Sequence, residues 1–180
     1  MEGEGAAPLI LTLDLDPDGF ARLDALRRAH FPPALNRVPA HVTLFHHLPG
    51  GAEEEVARLL AAEGAGVAPF AVRFAALMPL GRGVALRVEA PEAASLRGRI
   101  AGCFAGRLTP QDAGGWRPHA TIQNKVSPAE ARATLERLSA GFAPWEAVAE
   151  GLRLWRYRGG PWEAAGVFPF RAPGGAVAGA

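Results

Sequence analysis

Apolar and polar positions along the chain change period repeatedly, and each change marks an element. In PLILTLDLD, Leu11, Leu13 and Leu15 alternate with other residues, the period of two expected of a strand. Asp16 followed by Pro17 reads as a helix start, because the Asp side chain accepts a first-turn N–H and proline needs no donor there. Phe20, Leu23, Leu26 and His30 then recur at helical spacing, and FPPALNRVPA ends the helix. A strand carrying HVTLFHHL comes next. Residues 53–62 predict a second helix with Val56, Leu59 and Leu60 on its apolar face, and Phe70, Val72 and Phe74 alternate as a strand.

The second half repeats this order. GVALRVEA predicts a strand, and Pro91 opens a helix whose apolar stripe is Leu96, Ile100, Cys103 and Phe104. A strand carrying RPHATIQNK comes next, and SPAE at 127–130 is a capping box that starts a helix running to about Leu138. PWEAVAEGLRLWRYR predicts a strand, and Gly159-Gly160-Pro161 turns into a last one ending near Phe170. The offsets agree: 74 residues from Pro17 to Pro91, 78 from His41 to His119 and 75 from Pro69 to Pro144. Two copies at this period predict an α+β fold of two pseudo-two-fold-related lobes. Each lobe is an antiparallel sheet with helices on its outer face, and the two form a central groove. The expected layout is a single domain over 1–180, with lobes at about 8–79 and 82–158, the final strand to about 170 and a flexible tail at 171–180.

Strand alternation sorts the histidines. His41, Thr43, Phe45 and His47 share one face, and Val42, Leu44 and His46 the other. In the second strand Arg117, His119, Thr121, Gln123 and Lys125 share a face opposite Ala120 and Ile122. With the apolar faces in the core, both His-x-Thr pairs point into the groove. Two imidazoles, one neutral and one protonated, suit general base and general acid work near neutral pH. Two threonine hydroxyls suit hydrogen bonds to the non-bridging oxygens of a phosphorus centre. Arg117 and Lys125 add charge, and Phe45, Trp116, Tyr157 or Trp162 offer faces for stacking a base. Gln123 shares the groove face as a further substrate contact. His47 lies about 20 Å along the strand from His41, placing it against a distal part of a substrate. His46 is expected to face the core. His30 sits at a helix C-terminus that favours its charged form.

Composition excludes several other functions. A formal net charge of +1 over 180 residues gives no broad basic footprint for duplex nucleic acid. The single cysteine, Cys103, forms no disulfide within the chain and no cysteine-based zinc site, and no carboxylate adjoins either His-x-Thr motif, so no metal is expected. The only lysine, Lys125, is outside any GxxxxGK[ST] loop, so no ATP is expected. Asp14 interrupts the first apolar run, giving neither a signal peptide nor a membrane span, and the expectation is a cytoplasmic monomer. Gly98, Gly102 and Gly106 lie four apart between arginines and predict close helix–sheet packing rather than a lipid-embedded dimer.

With both motifs in place, the chain resembles the two-histidine phosphoesterase superfamily, which includes 2′-5′ RNA ligase-like proteins and cyclic phosphodiesterases. HVTLFHHLPG is similar to the first family motif and RPHATIQNKV to the second. The resemblance spans about residues 8–170. It implies His41, Thr43, His119 and Thr121 as the catalytic tetrad, with no metal or cofactor. It implies work on 2′,3′-cyclic phosphates of RNA ends or nucleotides, or on 2′-5′ phosphodiesters, with ATP-independent RNA ligation as the reverse reaction. A non-catalytic binder of RNA ends or nucleotides is the other reading of the same groove, and the assignment of acid and base is open.

Overall fold

A computed structural model of the chain describes residues 6–173; residues 174–180, most of the expected tail, lie outside the described residues. The elements run in the order β1 (Leu9–Leu15), α1 (Pro17–His30), β2 (Thr43–Leu48), α2 (Glu53–Ala65), β3 (Phe70–Pro79), β4 (Val84–Glu89), α3 (Pro91–Cys103), α4 (Pro110–Ala113), β5 (His119–Gln123), α5 (Pro128–Ser139), β6 (Trp145–Arg156) and β7 (Glu163–Pro169). The helix starts form as their residues require. Asp16 accepts from the Gly19 N–H at 3.1 Å and also from the Val148 N–H at 2.7 Å, so the cap of α1 is tied to β6. Ser127 accepts from the Glu130 N–H at 3.1 Å to open α5. The one helix with no strong sequence signal is α4, a single turn started by Thr109 and Pro110.

All pairings are antiparallel, and the strands form one seven-stranded sheet in the order β2-β1-β6-β3-β4-β5, with β7 on β6. Exchanging the halves turns β1, β2 and β3 into β4, β5 and β6, and the order then reads the same from the other end. The third strand of each half is carried into the other half's sheet, so the two lobes are continuous through the pairing of β3 with β6. The long β6 serves both lobes: its first residues pair with β3, and beyond Gly151 β7 takes that edge. The core runs along the helix-covered side through Leu9, Leu11, Leu13, Leu23, Leu60, Val72, Phe74, Leu86, Leu96, Ile100 and Leu152.

Both histidine strands break alternation. Along β1, Leu9 faces Leu48, Leu11 faces Phe45 and Thr12 faces Thr43, so β2 carries extra residues against its partner. A bulge of this kind reverses the inside–outside sense of the residues beyond it. Leu44 and Phe45 are consequently both buried, and His46 and His47 both exposed. Along β4, Ala85 faces Thr121 but Val84 faces Gln123, so Ile122 and Gln123 are both buried.

Two smaller expectations are corrected. The buried face of α3 is Ala93, Leu96, Arg97 and Ile100, and Cys103 is exposed. The glycine row on α3 does not pack closely: a Cβ at Gly98 or Gly102 would meet nothing within 4 Å. Gly83 is among the glycines that close contact does require: a Cβ there would stand 1.9 Å from the Gln123 carbonyl oxygen beside the β5 bulge. We therefore expect opposite outcomes from two glycine-to-alanine changes. Gly83→Ala lowers unfolding stability by about 1–3 kcal/mol through overpacking. Gly98→Ala raises it by about 0.5–1 kcal/mol, as for an open helix-interior site. Urea unfolding of the two variants checks both.

Candidate active site

His41 lies in the extended segment that enters β2, and His119 is the first residue of β5. Each ring is held in the same way. The His41 Nδ1 is 2.7 Å from the Pro39 carbonyl oxygen, and the His119 Nδ1 is 2.9 Å from the Arg117 carbonyl oxygen. A carbonyl only accepts, so each Nδ1 carries the hydrogen and each Nε2 is left as the reactive nitrogen. Two residues beyond each histidine stands a threonine whose carbonyl is also bonded. The Trp116 Nε1–H donates to the Thr43 oxygen at 3.0 Å, and Arg27 donates to the Thr121 oxygen at 3.0 Å.

The bracing crosses between halves. Arg27, on the first helix of the first half, holds β5 of the second. Arg97, on the first helix of the second half, donates to the Leu44 carbonyl in β2 at 2.8 Å and to the Asp112 carbonyl at 2.7 Å. Both arginines are buried. The Asp112 carboxylate is itself 1% exposed and accepts from the N–H groups of His46, at 2.9 Å, and His47, at 2.7 Å. It therefore fixes the backbone just after the β2 bulge.

Both His-x-Thr pairs line one chamber of about 290 Å³, together with His46, Trp116, Arg117 and Trp162. The Trp162 ring lies 4.6 Å from the His41 ring, centroid to centroid, and Trp155 stands behind it at 5.9 Å. A roomier cavity of about 540 Å³ lies between α1 and α5, but apart from Arg22 and Arg137 its lining is uncharged and mainly apolar. The paired His and Thr side chains lie in the smaller chamber. There, loss of water around His41 pushes its pKa down to about 4. The bond to the Pro39 carbonyl opposes this, while Arg27, His46 and His119 add to it. Among the described residues no three His, Cys, Asp or Glu side chains converge in a metal-ligating group. His30, by contrast, does not favour its charged form: burial first, and Arg137 next, lower its pKa against the helix C-terminus.

The other expected contacts divide. Arg117 lines the chamber that holds the two His-x-Thr pairs. Lys125 and Tyr157 line a second chamber of about 500 Å³ that shares His41, Thr121 and Trp162 with the first. Phe45 is fully buried under the Arg97 guanidinium, 4.6 Å from its ring centroid, because the β2 bulge turns it inward. Gln123 is buried by the β5 bulge and donates to the Thr134 hydroxyl at 2.9 Å, with its own side-chain oxygen unpartnered. His47 is exposed but lines neither chamber, whereas His46, expected in the core, lines the first. Asp112, Arg27 and Arg97 carried no signal in the sequence as site-positioning groups. Only the Thr109-Pro110 start of α4 hinted that a structured turn precedes the second motif.

The fold recurs in solved structures. The protein TT0787 of Thermus thermophilus superposes with a TM-score of 0.65 at 18% identity, over 92% of this chain and 98% of that one. E. coli LigT, solved in complexes with NADP+ and with 3′-AMP, superposes at 0.60 and 18% identity, over 92% of this chain and 99% of that one. A search of curated proteins finds no match. The family profile of the 2′-5′ RNA ligase superfamily matches residues 15–161, nearly the whole of the repeated fold. With that match and two His-x-Thr strands meeting in one chamber, the chain belongs to the 2′-5′ RNA ligase superfamily, among the two-histidine phosphoesterases.

Proposed function

We propose that this protein is a metal-independent phosphodiesterase that opens a 2′,3′-cyclic phosphate, on an RNA end or a nucleotide, or cleaves a 2′-5′ phosphodiester. The observation that carries this reading is the matched pair of Nδ1–carbonyl bonds, which leaves the Nε2 of each histidine free beside one small chamber. His41, desolvated and neutral, is the general base: its Nε2 takes a proton from water as the oxygen attacks phosphorus. His119 is the general acid: it gives its proton to the departing ribose oxygen. The Thr43 and Thr121 hydroxyls donate to the non-bridging oxygens as charge grows there. Arg117 adds positive charge at the chamber wall. With a ribose hydroxyl in place of water as the attacking group, the same steps join a cyclic phosphate to that hydroxyl without ATP: the new P–O bond forms as the cyclic P–O bond breaks and His119 protonates the departing oxygen.

In chelator, with a 2′,3′-cyclic nucleotide and an RNA ending in that group, we expect His41→Ala or His119→Ala to lower kcat/KM by about 10²–10⁴. Thr43→Val or Thr121→Val is expected to lower it by about 10²–10³. Activity within tenfold of wild type in either histidine variant sinks the proposal. Binding without turnover in the wild type favours a non-catalytic binder instead.

The pH profile of kcat/KM carries the sign of the His41 shift. A base with a depressed pKa is active above it, so the acidic limb falls away only as pH drops through about 4. The same equilibrium enters stability. The unfolded His41 gains a proton near pH 6.5 and the folded one near 4. Stability is therefore full above 6.5, falls with pH down to about 4, and is then level with respect to this group. This contribution amounts to at most about 3 kcal/mol. Urea unfolding between pH 4 and 7 in wild type and His41→Asn isolates it.

A further inference from the structure

The helices cover the sheet as two pairs that the duplication relates. Exchanging the halves carries α1 onto α3 and α5 onto α2. The α2–α3 pair is closed across its seam by opposite charges. Arg99 on α3 meets Glu63 on α2 at 2.9 Å, and Arg107, just beyond α3, meets Glu55 at 2.6 Å. The α1–α5 pair has no such closure among the described residues. Between its helices lies the cavity of about 540 Å³, with Arg22 of α1 and Arg137 of α5 both in its wall. The Arg22 guanidinium lies 4.4 Å from the Trp145 ring centroid, and Arg137 donates to the Thr134 hydroxyl at 3.2 Å. Neither has a carboxylate partner among the described residues, but that alone marks no site, since Arg58 and Arg132 have none either. What sets Arg22 and Arg137 apart is that they line one apolar cavity from two different helices.

The lining carries a second, independent sign. Leu26, Leu77, Leu138 and Phe142 in that wall are only partly buried, while Leu86 and Ile122 of the sheet behind them are fully buried. Apart from the two arginines and the Trp145 indole, no side chain there is polar and none is acidic. Like charges held over apolar surface repel each other, and an anion between them removes that cost. His30, at the end of α1, already registers the excess: after burial, Arg137 is the next cause of its lowered pKa. The cavity is separate from the histidine chamber. Ile122 lines the one and its neighbour Thr121 the other, so the two lie on opposite sides of β5.

We propose that the α1–α5 cavity binds a medium-chain aliphatic carboxylate, its head group between Arg22 and Arg137 and its chain along Leu26, Leu77, Leu138 and Phe142. A carboxylate accepts hydrogen bonds from two guanidinium groups at once. An aliphatic chain fits because the wall offers no set of donor and acceptor side chains to read a base or a sugar. The site stands independently of the phosphodiesterase reading.

The test titrates the whole chain with octanoate by calorimetry, with octanol and acetate as the two halves of the probe. Octanoate is expected to bind at a single site and to raise the melting temperature. Octanol and acetate are each expected to bind at least about tenfold more weakly, since each lacks one half of the contact. Arg22→Gln and Arg137→Gln each lower octanoate affinity by about tenfold, the loss a charge-assisted contact implies. Arg132→Gln, on α5 but outside the cavity, leaves it unchanged. Rising salt weakens octanoate binding and spares octanol. Thermal melting without ligand verifies that each variant is folded. Absence of octanoate binding overturns the site. So does octanol binding as tightly as octanoate, or an equal loss in Arg132→Gln. A dimer in sedimentation that excludes octanoate also overturns it and gives the cavity to a second copy of the chain.

Discussion

Two buried guanidinium groups hold the histidine strands, and the geometry of the chamber between them depends on those groups. Arg27 and Arg97 end on backbone carbonyls of Thr121, Leu44 and Asp112, with Asn36 as the remaining acceptor of Arg27. A buried charge is tolerated only when hydrogen bonds replace the water it has lost. Those bonds meet strand carbonyls that would otherwise be buried and unpaired, at about 1–3 kcal/mol each. Because each arginine sits on the first helix of one half and grips the histidine strand of the other, neither lobe positions its own histidine alone. The β3–β6 pairing makes the same exchange in the sheet.

From this symmetric frame comes an asymmetric site. The two histidines have the same backbone acceptor at the same offset, so their tautomers match. Their surroundings do not match. His41 lies against Trp162, with Arg27 and His46 near it, and is held neutral. Asp112 adds a further asymmetry. By pinning two N–H groups after the β2 bulge it turns His46 toward the chamber, with no counterpart in β5.

The repeat was legible because it is written in local chemistry. Asp16-Pro17, Pro91 and Ser127-Pro128 each start a helix through a bond or a restriction made within a few residues. The strands of both halves show themselves by alternation, and the two His-x-Thr pairs fall at equivalent places, close enough to the strand starts that no bulge intervenes. Beyond Thr43 and Thr121 the reading failed at Phe45, His46 and Gln123 for a common reason. Alternation assumes an unbroken ladder, and both strands carry bulges imposed by their partners.

By itself, then, the sequence determined the elements, the duplication and the four residues that face each other across the chamber. Each of these is specified by side chains near one another in the chain. The tertiary structure alone decided the strand exchange between halves, the bulges that bury Phe45 and Gln123 and the water loss at His41. These depend on partners far apart in sequence, such as Asp112 bonding a backbone 65 residues away and Arg27 bonding one 94 residues away. No periodicity in the chain encodes such distances, because they are fixed only when the sheet closes around the groove.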